Sequence, residues 1–218
     1  MSVTTTSGAI PDNWDAMVNL EELKMTNLGL TGGVPASLGQ VPTLKVVILA
    51  SNALSSEIPD FFGSLPELQV FNVDRNQLFG EIPASIGQAT KLQYLRVNGQ
   101  RVADNPQTGL SGELPASLGD LVNLKMFQCQ ENNIGGQLPP ELGNLANLEI
   151  LNIGSNAFSG NIPIALKNLE SLIEFILDDN NFNDFWPPAI CDIDTVSLIR
   201  PDCNVNCAAD CCNRDFCN

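Results

Sequence analysis

Apolar residues recur along the chain in a unit of about 24 residues, and each unit opens with the same short alternation. Positions 1, 4 and 6 of a unit are apolar, as Leu68, Phe71 and Val73 illustrate. Alternation near a period of two predicts a short strand with one buried face. A unit this short cannot bury its apolar face alone, so the repetition predicts a stack of copies that share one core.

Seven copies begin with leucine at position 1, and successive starts lie 24 residues apart except for one interval of 32. The longer interval predicts an insertion at 101–108, in the fourth copy. We therefore divide the chain into an incomplete half-copy at 1–19, seven copies over 20–195 and a Cys-rich C-terminal cap at 196–218. The copies start at Leu20, Leu44, Leu68, Leu92, Leu124, Leu148 and Leu172.

Three further positions carry residues that control the backbone. Asn at position 9 can bond the backbone of the turn that leaves the strand. Gly at position 13 suits a bend packed closely on its neighbour, and Pro at position 16 fixes φ and opens a short helical turn. The recurrent Asn residues are Asn52, Asn76, Asn132, Asn156 and Asn180.

Together these positions give the motif LxGxIPxxLGxLxxLxxLxLxxNxL, which resembles the plant-type leucine-rich repeat of receptor-like kinase ectodomains and polygalacturonase-inhibiting proteins. The resemblance covers residues 7 to about 195. It implies an α/β repeat solenoid, a right-handed superhelix with a concave parallel β-sheet, short second strands and 3₁₀ turns on the convex side. Members of this family usually open with a Cys-containing cap, which the half-copy lacks, so we expect that the natural N-terminus is missing.

The net charge and the absence of histidine argue against several classes of function. The formal net charge is −15 and the chain has no His. A strongly acidic chain has no basic patch for phosphates, which argues against nucleic acid. Without His there is no Ser-His-Asp or Cys-His pair, and there is no phosphate-binding Gly-rich loop. We expect no enzyme activity and no cofactor. The longest purely apolar run, Val46–Ala50, is too short to span a membrane.

The cysteines are concentrated at the end of the chain. Six of the seven fall in the last 28 residues, which favours disulfides and an oxidising compartment, hence an extracellular or cell-surface location. Zinc or an iron–sulfur cluster is the alternative, although paired CxxC knuckles are lacking. The tail is similar to Cys-rich ends of diatom and algal leucine-rich-repeat proteins. Cys129, at an inward strand position, is expected to be a free buried thiol; the predicted disulfide cysteines are Cys191, Cys203, Cys207, Cys211, Cys212 and Cys217.

Two groups of carboxylates are candidates for chemistry. Glu57, Glu81 and Glu113 share position 14 and should stack about 5 Å apart, a spacing that resembles the carboxylate pair of a retaining glycosidase. A weak cation site and a solvated acidic stripe are the other readings, and we favour the stripe. Asp178, Asp179 and Asp184 together offer oxygen ligands for Ca²⁺. Their spacing is not that of an EF-hand, so solvated charge is preferred and no metal site is assigned.

The outward face of the strands is the predicted ligand-binding site. Position 3 gives an apolar column bounded by Glu22 and Glu174, and positions 5 and 7 place amides and charges beside it. An exposed apolar strip rimmed by polar groups is typical of an interaction surface, although partly covered apolar residues are also common in this repeat. The predicted site residues are Val46, Val70, Asn72, Tyr94, Arg96, Met126, Gln128, Ile150 and Asn152.

These patterns favour a monomeric, non-enzymatic extracellular module that binds a peptide, protein or polysaccharide. A structural or adhesive role at the cell surface is the alternative, and ice binding is a distant third because Thr is scarce and the outward columns are mixed. The insertion is expected either to wall the binding face near Tyr94 or to be a tolerated surface loop.

Overall fold

A curved parallel sheet receives one three-residue strand from each copy. The computed structural model describes residues 8–102, 105, 107–183, 187–191, 193 and 195–201. Eight strands lie in the order β1-β2-β3-β5-β7-β9-β11-β13, and all neighbouring pairs are parallel. Their bounds are β1 Glu22–Lys24, β2 Val46–Ile48, β3 Val70–Asn72, β5 Tyr94–Arg96, β7 Met126–Gln128, β9 Ile150–Asn152, β11 Glu174–Ile176 and β13 Leu198–Arg200.

Shorter strands follow the main ones and form two small sheets, β4-β6 and β8-β10-β12. Beyond them, Pro at position 16 precedes most of the 3₁₀ turns, as its fixed φ allows. The strands are β4 Phe79–Gly80, β6 Gly109–Leu110, β8 Gly135–Gly136, β10 Ala157–Gly160 and β12 Asn181–Phe182. The 3₁₀ turns are Ala36–Gln40, Phe62–Ser64, Ala84–Gln88, Ala116–Asp120, Pro140–Asn144 and Ile164–Asn168, and one short helix, α1, covers Pro188–Cys191. The predicted solenoid is confirmed.

A continuous apolar core runs through the stack, because every copy turns the same positions inward. Leu68, Phe71 and Val73 are fully buried, as predicted from the alternation. The second and third copies thicken this core with an aromatic cluster, in which the rings of Phe61 and Phe62 lie 5.1–6.1 Å from that of Phe71. Edge-on ring contacts at this distance add to the burial energy.

The amide at position 9 links each copy to the one before it. Asn132 Nδ2 donates to the carbonyl oxygens of Cys129 and Val97, at 2.9 and 3.0 Å, and its Oδ1 accepts from Leu110 N at 2.8 Å. Asn76 and Asn180 repeat the pattern. Each amide therefore satisfies buried backbone groups that the short strands leave without a ladder partner.

The fourth copy has Gln100 at this position, and sequence analysis did not recognise it as a member of the series. Its Nε2 donates to the carbonyls of Val73 and Val97, and its Oε1 accepts from Leu78 N at 3.1 Å. The amide thus takes the place of the Asn amide, and the extra methylene is accommodated at the point where the insertion begins. The series of inter-copy hydrogen bonds is unbroken there.

The residue at position 8 adopts a left-handed conformation in all seven copies, although the first copy has Leu28 and no amide at position 9. The φ angles lie between 51° and 66°, and the residue types show no common preference for this region. A non-glycine residue in it costs on the order of 1–2 kcal/mol, and from the second copy onward the hydrogen bonds of position 9 offset this cost. The residues are Asn27, Ser51, Arg75, Gly99, Glu131, Ser155 and Asp179.

An eighth strand lies in the segment that sequence analysis assigned entirely to the cap. β13 pairs with β11 so that Leu198 lies opposite Glu174, one 24-residue spacing further along the chain. Val196 and Ile199 pack against the core. The apolar alternation therefore continues past residue 195, and it escaped notice because Val replaces Leu at position 1.

We predict that Asn132→Ala lowers the free energy of unfolding by about 3 kcal/mol, because several buried backbone groups lose their partner at once. Denaturant unfolding followed by circular dichroism measures the change. Asn123→Ala is the matched control: Asn123 is exposed, donates only to Thr90 O at 2.8 Å, and should change stability by less than about 0.5 kcal/mol. Equal effects of the two substitutions would contradict the structural role of position 9.

Candidate functional site

The position-3 column lies across the centre of the main sheet, as predicted. Strand pairing aligns its residues one after another, from Glu22 at β1 to Glu174 at β11. Tyr94 is the most exposed apolar member, at 36%. The other members are half-buried: Val46, Val70, Met126 and Ile150.

The position-5 row runs beside the column, but its members differ in availability. Asn72 is only 9% exposed, and its Oδ1 accepts from Asp74 N at 2.9 Å. Arg96 is half-buried and its Nε donates to Met126 Sδ at 3.2 Å, so its guanidinium lies against the column. Gln128 and Asn152 are also half-buried. Of the predicted polar contacts, Asn72 is thus the least accessible to a ligand.

Position 7 carries a feature that sequence analysis did not anticipate. Within the part of the chain that the structure describes, Asp74 Oδ1, Asn98 Oδ1 and Gln130 Oε1 are buried and accept no hydrogen bond. The three residues occupy the same position on neighbouring copies. A buried acceptor without a donor costs about 1–3 kcal/mol, so this row lowers the stability of the folded state.

Burial also changes the protonation of two carboxyls near this row. Burial raises the pKa of Asp74 above its ordinary value of 3.8, while Arg75 and Arg96 oppose the shift. Burial likewise raises the pKa of Asp178, although Arg200 Nη2 lies 2.6 Å from its Oδ2. The ion pair therefore only partly offsets the loss of hydration.

The candidate calcium ligands do not form a cage among the described residues. Asp178 is engaged by Arg200, and Asp179 Oδ2 accepts from Ser155 Oγ at 3.2 Å. Asp184 lies outside the described residues. Over the described ranges, no group of three or more His, Cys, Asp or Glu side chains is placed to hold a metal ion.

The position-14 carboxylates lie on an open flank, above the glycines of the following copy. A Cβ added to Gly112 would lie 2.6 Å from Glu81 Cγ, and one added to Gly136 would lie 2.6 Å from Glu113 Cγ. These glycines also have φ of 74° and 73°, where L side chains are strained. The side chains of the row are exposed, so it has the packing and hydration of an acidic stripe.

The insertion lies on the flank over β4 and β6, where it forms one wall of a cavity of about 920 Å³. Phe79 and Gly80 also line this cavity, and Tyr94 does not. The expectation that the insertion walls the binding face near Tyr94 stays a prediction. The chain leaves the sheet after Gln100 and meets the neighbouring copy on its side, where Arg101 N donates to Glu131 O at 3.3 Å.

The structure describes the side chain of one cysteine, Cys129; the side chains of the other six lie outside the described residues. Cys129, the residue directly after β7, is a fully buried free thiol, and burial strongly raises its pKa. Cys191 ends α1, but its side chain lies outside the described residues, as do all atoms of Cys203, Cys207, Cys211, Cys212 and Cys217. Their predicted pairing is untested and stays a prediction.

The fold and its motif define a class of protein. Residues 123–145 and 147–169 match the family model of the leucine-rich repeat. The parallel sheet and the 3₁₀ turns extend the likeness over the other described copies, and together these findings support a leucine-rich-repeat protein of the plant type. A comparison of its sequence with curated proteins finds no match.

Solved structures place it beside plant receptor ectodomains. It is similar to the GASSHO1/SCHENGEN3 receptor kinase ectodomain from Arabidopsis thaliana, in complex with CASPARIAN STRIP INTEGRITY FACTOR 2, with 29% identity, a TM-score of 0.83 and coverage of 89% of this chain and 22% of that one. The chain is also similar to the Arabidopsis receptor kinase HAESA in complex with the peptide hormone IDA and the co-receptor SERK1. This match has 28% identity and a TM-score of 0.79, and it covers 89% of this chain and 31% of that one. The chain thus spans less than a third of these ectodomains' length.

A plant ice-binding protein shares the fold. It matches with 20% identity and a TM-score of 0.70, over 91% of this chain and 64% of that one. At this identity the likeness concerns the fold alone. Among the described residues, no helix has the length and apolar character needed to cross a membrane.

We predict that Asp74→Asn stabilises the protein at neutral pH. The folded state holds the Asp74 proton at a pH where the unfolded chain has lost it, so stability falls as the pH rises through the interval above 3.8. The advantage of the variant should be full at pH 7 and shrink as the pH falls towards about 4, measured by denaturant unfolding across this range.

Asp12→Asn is a control with the opposite sign. Ser37 donates from its backbone N to Asp12 Oδ1 at 2.8 Å, and hydrogen bonds from Ser37 lower the pKa of Asp12. This variant should be less stable at neutral pH, and its deficit should shrink only below about 4. A pH-independent difference for Asp74→Asn would contradict the assigned role of burial.

Proposed function

We propose that the chain is a non-enzymatic recognition module that binds an extended peptide or protein segment across the concave sheet. Tyr94 and Met126 are the central anchors, and Arg96, Gln128 and Asn152 supply hydrogen bonds. An extracellular or cell-surface location, a monomeric state and the absence of a catalytic role are parts of the same proposal. A glycan is the other ligand class that this surface could hold.

One observation carries the proposal: a column of exposed and half-buried apolar side chains crosses the sheet, with polar side chains beside it. Five neighbouring strands at about 4.8 Å make this column roughly 20 Å long. Its centre combines Tyr94 with the Arg96–Met126 contact, and aromatic, Arg and Met residues are typical of interface centres. The buried acceptors at position 7 add groups that a ligand donor would satisfy.

Similar ectodomains support the peptide as ligand. HAESA was solved with the peptide hormone IDA, and another receptor, PEPR1, with AtPEP1. They match most of this chain with identities of 28–29%, which supports a peptide as the ligand proposed for its sheet. Because this chain matches only 26–31% of those ectodomains, the particular peptide is expected to depend on the side chains of this chain's own sheet.

A structural or adhesive role at the cell surface is the alternative. It would rely on the acidic flank, where Glu57, Glu81 and Glu113 are exposed, and would not need the column. Ice binding has less support, since the position-3 column contains no Thr and mixes aliphatic, aromatic and sulfur-containing side chains.

We predict that Tyr94→Ala combined with Met126→Ala weakens ligand binding at least 30-fold, because the loss of the two central anchors together costs about 2 kcal/mol or more. The immobilised protein would be used to capture ligands from the extracellular fraction of the source organism. Affinities for the captured polypeptide would then be measured by calorimetry.

Val122→Ala combined with Ile173→Ala is the matched control. Both side chains are exposed and apolar, at 51% and 42%, and lie outside the column. This variant should bind as the unchanged protein does. Full capture by the Tyr94 and Met126 double variant would reject the concave sheet as the site and favour the adhesive role.

A further inference from the structure

We propose that the cavity between the insertion and Phe79 is a second binding site, separate from the concave sheet, and that it takes a neutral sugar ring. Phe79 supplies an apolar platform, and side chains from the insertion and the neighbouring copies supply hydrogen bonds. The cavity volume of about 920 Å³ lies within the range of small-ligand sites.

Two singular features of the chain meet at this cavity. The only long interval between copies produces the insertion. Position 12 holds small or polar residues in all other copies, but Phe79 in the third, where it is 37% exposed. An exposed aromatic side chain is unnecessary for the solenoid, since the other copies fold with Thr31, Ser55, Ser111, Gly135, Ser159 and Asn183 at this position.

The described part of the insertion is held in place by its own hydrogen bonds. The buried Thr108 hydroxyl accepts from Val102 N at 2.8 Å and donates to Asn105 O at 2.9 Å. Asn133 Nδ2, on the next copy, donates to Thr108 O at 2.8 Å. This wall is therefore built before a ligand arrives, which lowers the entropic cost of binding.

The bend by which the chain leaves the insertion and returns to the stack depends on Gly109. Its φ is 98°, and a Cβ there would lie 2.7 Å from Asn133 Nδ2. A side chain at this position would displace the amide that anchors the wall. The shape of this wall of the cavity therefore requires glycine at position 109.

The lining suits a ligand with one apolar face and a polar edge. Phe79 and Val102, the latter 39% exposed, give apolar surface. Arg101 and Glu131 contribute one charge of each sign, so the lining has no net preference for an anion or a cation. The remaining polar groups both donate and accept hydrogen bonds; they are Asn105, Gln107, Ser111 and Asn133.

A pyranose ring meets these requirements. Its C–H groups form an apolar face that stacks on an aromatic ring, and its hydroxyls each donate and accept. Vicinal hydroxyls match a carboxylate or a guanidinium, which Glu131 and Arg101 provide. A metal ion fits less well, because Glu131 is the only carboxylate among the described lining residues.

Phe79→Ser tests the site with little risk to folding, since Ser occupies position 12 at Ser55, Ser111 and Ser159. Calorimetry and NMR titration would use cello-, laminari-, manno- and xylo-oligosaccharides, with an oligogalacturonide as the acidic comparison. We expect at least one neutral oligosaccharide to bind, and Phe79→Ser and Val102→Ser each to weaken it at least tenfold. The Tyr94 and Met126 double variant should bind it unchanged.

Three results would overturn the inference: no neutral oligosaccharide binds, Phe79→Ser leaves binding unaltered, or the oligogalacturonide is preferred. Loss of sugar binding in the Tyr94 and Met126 double variant would move the sugar to the concave sheet and also reject the second site. Polypeptide capture by the Phe79→Ser variant reports separately on the concave sheet, so failure of one proposal leaves the other testable.

Discussion

The position-9 amide is the interaction on which the rest of the structure depends. Strands of three residues provide few backbone hydrogen bonds, and each of those from β2 to β11 in the main sheet is followed by a left-handed residue such as Arg75 or Glu131. One side-chain amide ties that turn to its own strand and to the preceding copy. Because stability in a solenoid comes from nearest-neighbour contacts, a repeated contact of this kind both sets the register and holds the outward columns in line.

The candidate binding groups are brought together by the register between neighbouring strands, and they do not lie in a deep cleft. The column through Tyr94 exists because strand pairing brings the same position of successive copies together. The cavity beside Phe79 arises where one copy departs from that regularity. The concave sheet thus suits an extended ligand that spans many copies, whereas the cavity on the flank, lined by three copies, suits a compact one.

Much of this could be predicted from the sequence, because inward leucines and the position-9 Asn have a fixed spacing. The inward core, the amide series and the column followed directly from it. Gln100 was not predicted to belong to the series because the motif specifies Asn at position 9, although Gln carries the same amide group. Strand β13 was not predicted because Val196 replaces the leucine that marks position 1. The row at Asp74, Asn98 and Gln130 depends on side-chain burial, which spacing alone does not give. Phe79 stands out in the sequence as an aromatic among small or polar residues at position 12, but its place in the lining of a cavity depends on the path of the insertion.

Gln100 has a consequence for how such a chain can acquire new parts. Its amide keeps the inter-copy bonds while the backbone leaves the stack immediately afterwards and returns at Gly109. The loop is bonded to the next copy at both of its ends, through Arg101 N to Glu131 O and Asn133 Nδ2 to Thr108 O. Its length between these two anchors can therefore vary while the register of the stack is kept. The fourth copy is therefore a site at which other segments can be inserted without changes to the sequences of the neighbouring copies.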